Sequence, residues 1–411
     1  MNTYGVIILA TLLGEYLLST AADFLNLGTI TRDLPKEFGD VFDSATYRKS
    51  QEYTRAGIQL EMVSSTFGLA VILLFWFSGG FEVLDETVRS WNAGVLGTGM
   101  VYVGLLLLAR SILFLPFTIY STFVLEERFG FNKTTPVVFI MDLLKGLVLA
   151  CILGGPLLCL VLWLFQAAGS LAWVYGWIGA TMFIFFVQFI APTWIMPLFN
   201  KFTPLGEGAL RSAILTTAES SGFPVQDVFV MDGSKRSTKS NAFFTGFGRT
   251  KRIALYDTII GNHTTDELVS IVAHEIGHYK LHHIVQGIVI AILQSGVMLC
   301  LLSMFIASKG LLDAFYVEHL SVYAGMIFFG MLFGPLEFFL SLFMHSLSRK
   351  NEFAADRFAA EQTKNPRALI AALKKLSSDN LAHLTPHPFY VALRYSHPTM
   401  IERIRALQKF V

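Results

Sequence analysis

Seven uninterrupted apolar stretches constrain this chain more than any other feature. They lie at approximately 4 to 23, 57 to 79, 93 to 118, 136 to 165, 171 to 197, 284 to 307 and 321 to 345. Each can cross a hydrocarbon core of about 30 Å as a helix, which takes roughly 20 residues. Helices satisfy their own backbone hydrogen bonds, so the expected fold is a mainly α, polytopic membrane protein with seven transmembrane helices. Composition agrees: 54% of the residues are hydrophobic and only 15% charged, too oily for a solvated globular surface. A net charge of +1, with Lys and Arg dispersed over loops, argues against a nucleic-acid partner, which needs a concentrated basic face. Cys151, Cys159 and Cys300 sit inside apolar runs and read as small buried hydrophobes, with no disulfide framework expected. No Lys or Arg precedes the first apolar run, so no cleavable signal is expected and the first span is expected to be retained.

Charge orients the spans. The connection after the first carries Arg32, Lys36, Arg48, Lys49 and Arg55, the one after the third carries Arg128 and Lys133, and the one after the fifth carries many more. The opposite connections carry Arg89 and Lys309 and little else. By the positive-inside rule the N-terminus is outside and the C-terminus inside. This predicts a five-span region over 1–197, the first part of a cytoplasmic domain over 198–283, a hairpin of spans six and seven over 284–345, and the second part of the domain over 346–411. Within residues 227 to 257, "DVFVMD" and "SNAFFTGFGRTKRIALYD" predict strands around a glycine-containing turn. The next segment, "TTDELVSIVAHEIGHYKLHH", predicts a helix with Thr265 as N-cap and Leu268, Ile271, Val272 and Ile276 on an apolar stripe.

That helix carries the chemistry. Residues four apart on a helix share a face and lie about 6 Å apart along the axis, so His274 and His278 can offer imidazoles to one tetrahedral ion. Glu275, beside them, is placed as general base toward a water on that ion, the arrangement of a zinc peptidase. A catalytic zinc needs a third protein ligand. His282 and His283 have the wrong spacing for a metzincin, and His282 lies about 12 Å along the helix from His274; both read as interfacial residues at the mouth of span six. The better candidate is Glu352 in "RKNEFAADRFAAEQ", with Asp356 four residues on as the carboxylate behind a ligand. Two spans separate His278 from Glu352, an even number, so the chain returns to the same face of the membrane. Glu337, inside span seven, is the rival ligand.

With these segments on the page the sequence resembles the integral-membrane CAAX prenyl endopeptidases and the related bacterial membrane zinc peptidases. The resemblance covers essentially the whole chain. It rests on "HEIGH" at 274–278, "NEFAADRFA" at 351–359, "SKRSTKSNAFFTGFG" at 234–248 and "YSHPTMIERI" at 395–404. It implies that His274, His278 and Glu352 hold one Zn2+ per chain, that Glu275 is the general base, and that Asp356 fixes the tautomer of a ligand histidine. It also implies that Asn241, beside an edge strand, aligns the substrate backbone and that His397 and Arg403 face the oxyanion. From the residues alone, "HPTMIER" predicts a helix start after Pro398, with His397 at its entrance and Arg403 about two turns in.

The family's spans enclose a water-filled chamber, and Glu15, Glu61, Arg110 and Asp142 with Lys145 would either line one or pair internally. For Asp142 and Lys145 both outcomes stay open. The expected protein is therefore a multi-pass membrane zinc endopeptidase with a gluzincin-like cytoplasmic domain holding a small β-sheet. Its partners are a peptide or protein substrate, prenylated if the resemblance extends so far, and membrane lipid. The expected compartment is a bacterial inner membrane or, in a eukaryote, the endoplasmic reticulum membrane; "ALQKFV" at the C-terminus shows no retention signal. A quality-control protease and a proteolytically idle scaffold are the alternatives. A site-2-type intramembrane protease is disfavoured, because its Leu-Asp-Gly motif has only the upstream lookalike Met231-Asp232-Gly233. A transporter is disfavoured for want of inverted repeats.

Overall fold

A computed structural model describes residues 1–31, 33–245 and 251–411. Arg32, the glycine-containing turn before the last predicted strand and the end of the 234–248 motif lie outside the described residues.

Among the described residues seven helices are long and apolar enough to cross a membrane, and they coincide with the seven predicted stretches: Thr3–Gly28, Ser44–Phe77, Gly94–Glu126, Pro136–Ala167, Gly169–Phe199, His283–Phe305 and Val322–Thr363. Two of them overrun their apolar parts. The second begins at Ser44, capped by Asp43, whose carboxylate accepts from the Thr46 N–H. The seventh continues for 42 residues, about 63 Å at 1.5 Å per residue and twice the thickness of the hydrocarbon core. Residue 345, where the sequence suggests a division, falls inside this unbroken helix, so the Glu352 segment is a rigid extension of span seven.

Span packing is concentrated at the end remote from the soluble segments. There Trp76, Phe81, Phe315, Phe328, Tyr102 and Tyr323 form an aromatic core, with Phe315 and Phe328 stacked at 4.0 Å between centroids. Elsewhere the helices are sparsely covered, and no residue of Pro136–Leu149 is buried. Cys151, expected to be buried, is exposed on the fourth span, because that helix presents its apolar side chains outward.

The soluble segments build one body. Strands β1 (Phe202–Pro204), β2 (Val225–Met231), β3 (Ala242–Thr245) and β4 (Lys251–Tyr256) form a sheet in the order β1-β2-β4-β3. β2 and β4 are parallel, and β1 and β3 join antiparallel on either side. β3 is thus an edge strand. Val228, Ile253 and Leu255 of the sheet pack with Leu268, Val272 and Ile276 of the helix Thr265–Lys280, as the apolar stripe predicts. The cap of this motif helix is Thr264 instead of Thr265: Glu267 lies three residues after Thr264, and the two exchange hydrogen bonds in a capping box.

Two of the charges placed in spans, Glu61 and Asp142, reach out to this body. Asp142 accepts two hydrogen bonds from Arg236, at 2.7 and 2.9 Å, and Lys145 donates to the Leu198 carbonyl at 2.7 Å, so the two do not pair with each other. Arg394 donates to Glu61 on span two and, at 2.5 Å, to Ser19 on span one. Lys239 reaches Glu126 at the end of span three at 3.0 Å. The sheet and its helices are therefore tied to four spans by polar contacts that no local pattern announces.

Candidate active site

The motif helix runs beside the extension of span seven at very short range. A methyl group added at Gly277 would lie 3.2 Å from both Cα and the carbonyl oxygen of Ala355. A side chain there would require its neighbours to give by a few tenths of an ångström, so glycine eases an approach that brings the histidines of one helix against Glu352 of the other. His274 Nε2 and His278 Nε2 are 3.2 Å apart. His278 Nε2 lies 3.3 Å from Glu352 Oε1, and His274 Nε2 lies 3.5 Å from Glu352 Oε2. Among the described residues His274, His278 and Glu352 are the one group of three or more His, Cys, Asp or Glu whose ligand atoms converge, all within 4.8 Å. Glu337 is not in it.

The site fits a metal ion. Glu352 is buried, and its Oε2 makes no well-formed hydrogen bond, with only Arg403 Nη1 at 3.4 Å and His274 Nε2 at 3.5 Å, an incomplete satisfaction for a buried carboxylate. Two imidazole nitrogens and a carboxylate are a donor set suited to zinc, with room for a further ligand. The far side of each imidazole is held as well. His274 Nδ1 donates to Asp356 Oδ1 at 2.9 Å, which turns Nε2 toward the centre. Burial would lower the His274 pKa, but its hydrogen bonds to Asp356 and Glu352 outweigh that and raise it to about 9. Any ion bound there must displace that proton.

Arg403 is more deeply engaged than the sequence suggests. Its helix is Met400–Leu407, capped by Thr399 in a second capping box, so Arg403 lies in the first turn and not two turns in. Buried to 5% exposure, it grips Asp356 with Nε at 2.8 Å and Nη2 at 2.6 Å. Nη1 stands 3.4 Å from Glu352 Oε2. The guanidinium thus neutralises the carboxylate that orients His274. His397, by contrast, is 60% exposed at the side chain, with Nε2 3.3 Å from Glu352 Oε1.

One cleft of about 490 Å³ gathers seven of the eight residues singled out in the sequence: Asn241, His274, Glu275, His278, Glu352, His397 and Arg403. Asp356 stands behind it. Glu275 is half-buried in this wall, and burial pushes its carboxyl above the ordinary value, a direction that makes it a stronger proton acceptor. Asn241 is exposed at the entrance to β3; its side-chain oxygen accepts from Ala242 N at 2.8 Å, and its carbonyl accepts from Tyr256 N at 3.1 Å.

Two lining residues escape a sequence reading. Asn380, the C-cap of the helix Pro366–Asp379, pairs its amide with both backbone groups of Ser240, at 3.0 and 3.2 Å, and so holds the chain where it enters β3. Its one local signal is an asparagine at a helix end. His283, read as interfacial, has Nδ1 3.0 Å from His278 Nδ1.

Comparison with known proteins agrees with this geometry. Residues 25–201 match the family model described as CAAX prenyl protease N-terminal, five membrane helices, and residues 204–411 match the model of peptidase family M48. The CAAX prenyl protease 1 of Saccharomyces cerevisiae is 34% identical over 406 residues, covering 91% of this chain and 88% of that protein. The CAAX prenyl protease 1 homolog of Dictyostelium discoideum is 32% identical over 435 residues, with 100% and 98% covered. The crystal structure of S. mikatae Ste24p superimposes with a TM-score of 0.94 at 32% identity, covering 99% of each chain.

Proposed function

The chain belongs to peptidase family M48, with a five-helix CAAX prenyl protease region ahead of the peptidase unit, and from that premise we propose that it cleaves CAAX-type, prenylated peptides at one zinc ion per chain. It is a multi-pass membrane metallopeptidase with a peptide or protein substrate. His274, His278 and Glu352 would hold the ion, which when bound supplies Lewis-acid polarisation of a carbonyl and acidification of a water. The observation that carries the assignment is the convergence of these three ligand atoms within 4.8 Å in a wall shared with Glu275.

The protein's own residues do the rest. Asn241 leads into β3, whose outer edge lies beyond β4, so an extended substrate adds as a further strand and its scissile carbonyl comes to the cleft. Glu275 takes a proton from the attacking water and returns it to the leaving amine. His397, the exposed member of the wall, donates to the developing oxyanion, and Arg403 adds positive charge from behind while fixing Asp356. Glu352 and Asp356 sit on the rigid extension of span seven, so the metal lies at the membrane surface where a lipid-modified chain end is delivered. The basic connections after spans one, three and five support a cytoplasmic catalytic domain, in an endoplasmic reticulum or bacterial inner membrane. The sequence division at 197, 283 and 345 remains our proposal for its domains.

The test uses matched farnesylated and unmodified fluorogenic peptides with purified protein. Cleavage of the farnesylated peptide alone, abolished by a chelator and by Glu275→Gln, is the expected result. Equal cleavage of both peptides would overturn the prenylated substrate class and leave the metallopeptidase reading intact. Cleavage that survives the chelator would overturn the metal.

A further inference from the structure

We infer that His283 is a positioning residue for the metal ligand His278, holding that imidazole by accepting its hydrogen bond on a neutral ring. The inference rests on the metal reading above. His278 Nε2 faces His274 Nε2 and Glu352 Oε1, at 3.2 and 3.3 Å, so Nε2 is its ligand atom and its proton resides on Nδ1. That Nδ1 lies 3.0 Å from His283 Nδ1, with the ring centroids 5.1 Å apart and the planes at 70°. His278 therefore donates and His283 accepts, which fixes His283 as the neutral tautomer protonated on Nε2.

The backbone explains why this contact is not visible in the sequence. On a straight helix residues five apart are rotated about 140° from one another and cannot face. His282 has φ 59, in the left-handed region; it ends the motif helix and starts the helix of span six at His283. That one residue swings His283 back onto His278. A non-glycine residue in this conformation is uncommon and costs of order 1 kcal/mol or more, which points to a contact worth keeping.

The two ligand histidines are then backed differently. His274 leans on Asp356, a carboxylate already neutralised by Arg403. His278 leans on an uncharged ring, which fixes its orientation without adding negative charge to a centre that already contains Glu352 and Glu275. His283 also lines, with Glu275 and His278, a separate cavity of about 370 Å³ that leads between span six and the extension of span seven. Among the described residues His283 is the one that reaches His278 Nδ1.

The test is zinc affinity by chelator competition on the purified full chain, with thermal unfolding of the metal-free protein as the check of folding. His283→Ala lowers zinc affinity about 10- to 100-fold, the usual loss when a partner behind a ligand is removed. His283→Asn, whose amide oxygen can accept from His278, recovers most of that loss, and His282→Asn, which adopts the left-handed backbone readily, lacks the effect. A folded His283→Ala protein with unchanged zinc affinity overturns the inference. So does an Asn variant as weak as the Ala variant, since packing alone would then account for the loss; should the Ala variant fail to fold, the Asn variant decides. Failure of the unaltered protein to bind zinc would instead sink the metal assignment.

Discussion

The helix Thr265–Lys280 and the helix Pro136–Leu149 are nearly the same length and live under opposite rules. Nine residues of the first are buried, including Glu267, Ser270 and His274, and none of the second. In the motif helix every turn meets another element, so polar atoms must find partners inside the protein. In the fourth span the surroundings are lipid and water, and its two charged residues are used at a distance, Asp142 on Arg236 and Lys145 on Leu198. Atomic-level constraint is thus concentrated around the candidate metal site, while the bundle is constrained mainly by length and hydrophobicity.

The contrast breaks first at the reacting groups. Glu275→Gln should lower kcat by about 1,000-fold with zinc still bound, as read by peptide turnover and metal content; full activity would remove the general base from the cleft. Next comes the buried pair. Arg403→Ala leaves Asp356 charged and alone behind His274, and should cost about 3 to 5 kcal/mol in denaturant unfolding. Asp356→Asn in the same chain should recover part of it, and additive losses would show that the two side chains are not energetically coupled.

A matched pair of glycines sharpens the comparison further. Gly277→Ala forces a methyl group onto Ala355 and so pushes the ligand helices apart. A cost of about 1 to 3 kcal/mol and a fall in kcat/KM of about 10- to 100-fold are expected. Gly146→Ala on the fourth span meets nothing within 4 Å and should leave both unchanged. Equal effects at the two sites would mean that the helix approach is not what sets the site. Smallest is Asp142→Asn, which weakens one half-exposed ion pair between bundle and soluble body by about 1 kcal/mol or less, an effect that added salt should reduce in the unaltered protein.

The proposed metal ligands were readable because their geometry is mostly local. His274 and His278 share a helix face by spacing alone, and an even number of spans returns Glu352 to the same side. Arg403 shows where such reading stops. Its position in "YSHPTMIERI" suggests an oxyanion contact by resemblance, yet its fork is spent on Asp356, 47 residues earlier. His283 reads as interfacial because its spacing is wrong for a metzincin ligand, and the contact with His278 stays hidden because it depends on one left-handed residue, His282. The charges in spans were legible as costs in need of compensation, but their partners lie 94 residues away for Asp142 and 333 for Glu61.

Sequence by itself determined the seven spans, because crossing a bilayer depends on the length of an apolar run, and it determined the His-Glu-x-x-His face, because helix periodicity is a property of neighbours. Tertiary structure alone decided how closely the ligand helices approach at Gly277, which side chains back His274 and His278, and how the soluble body is tied to the spans. Those depend on contacts between residues far apart in the chain, whose distances and hydrogen-bond directions exist only once the helices have packed.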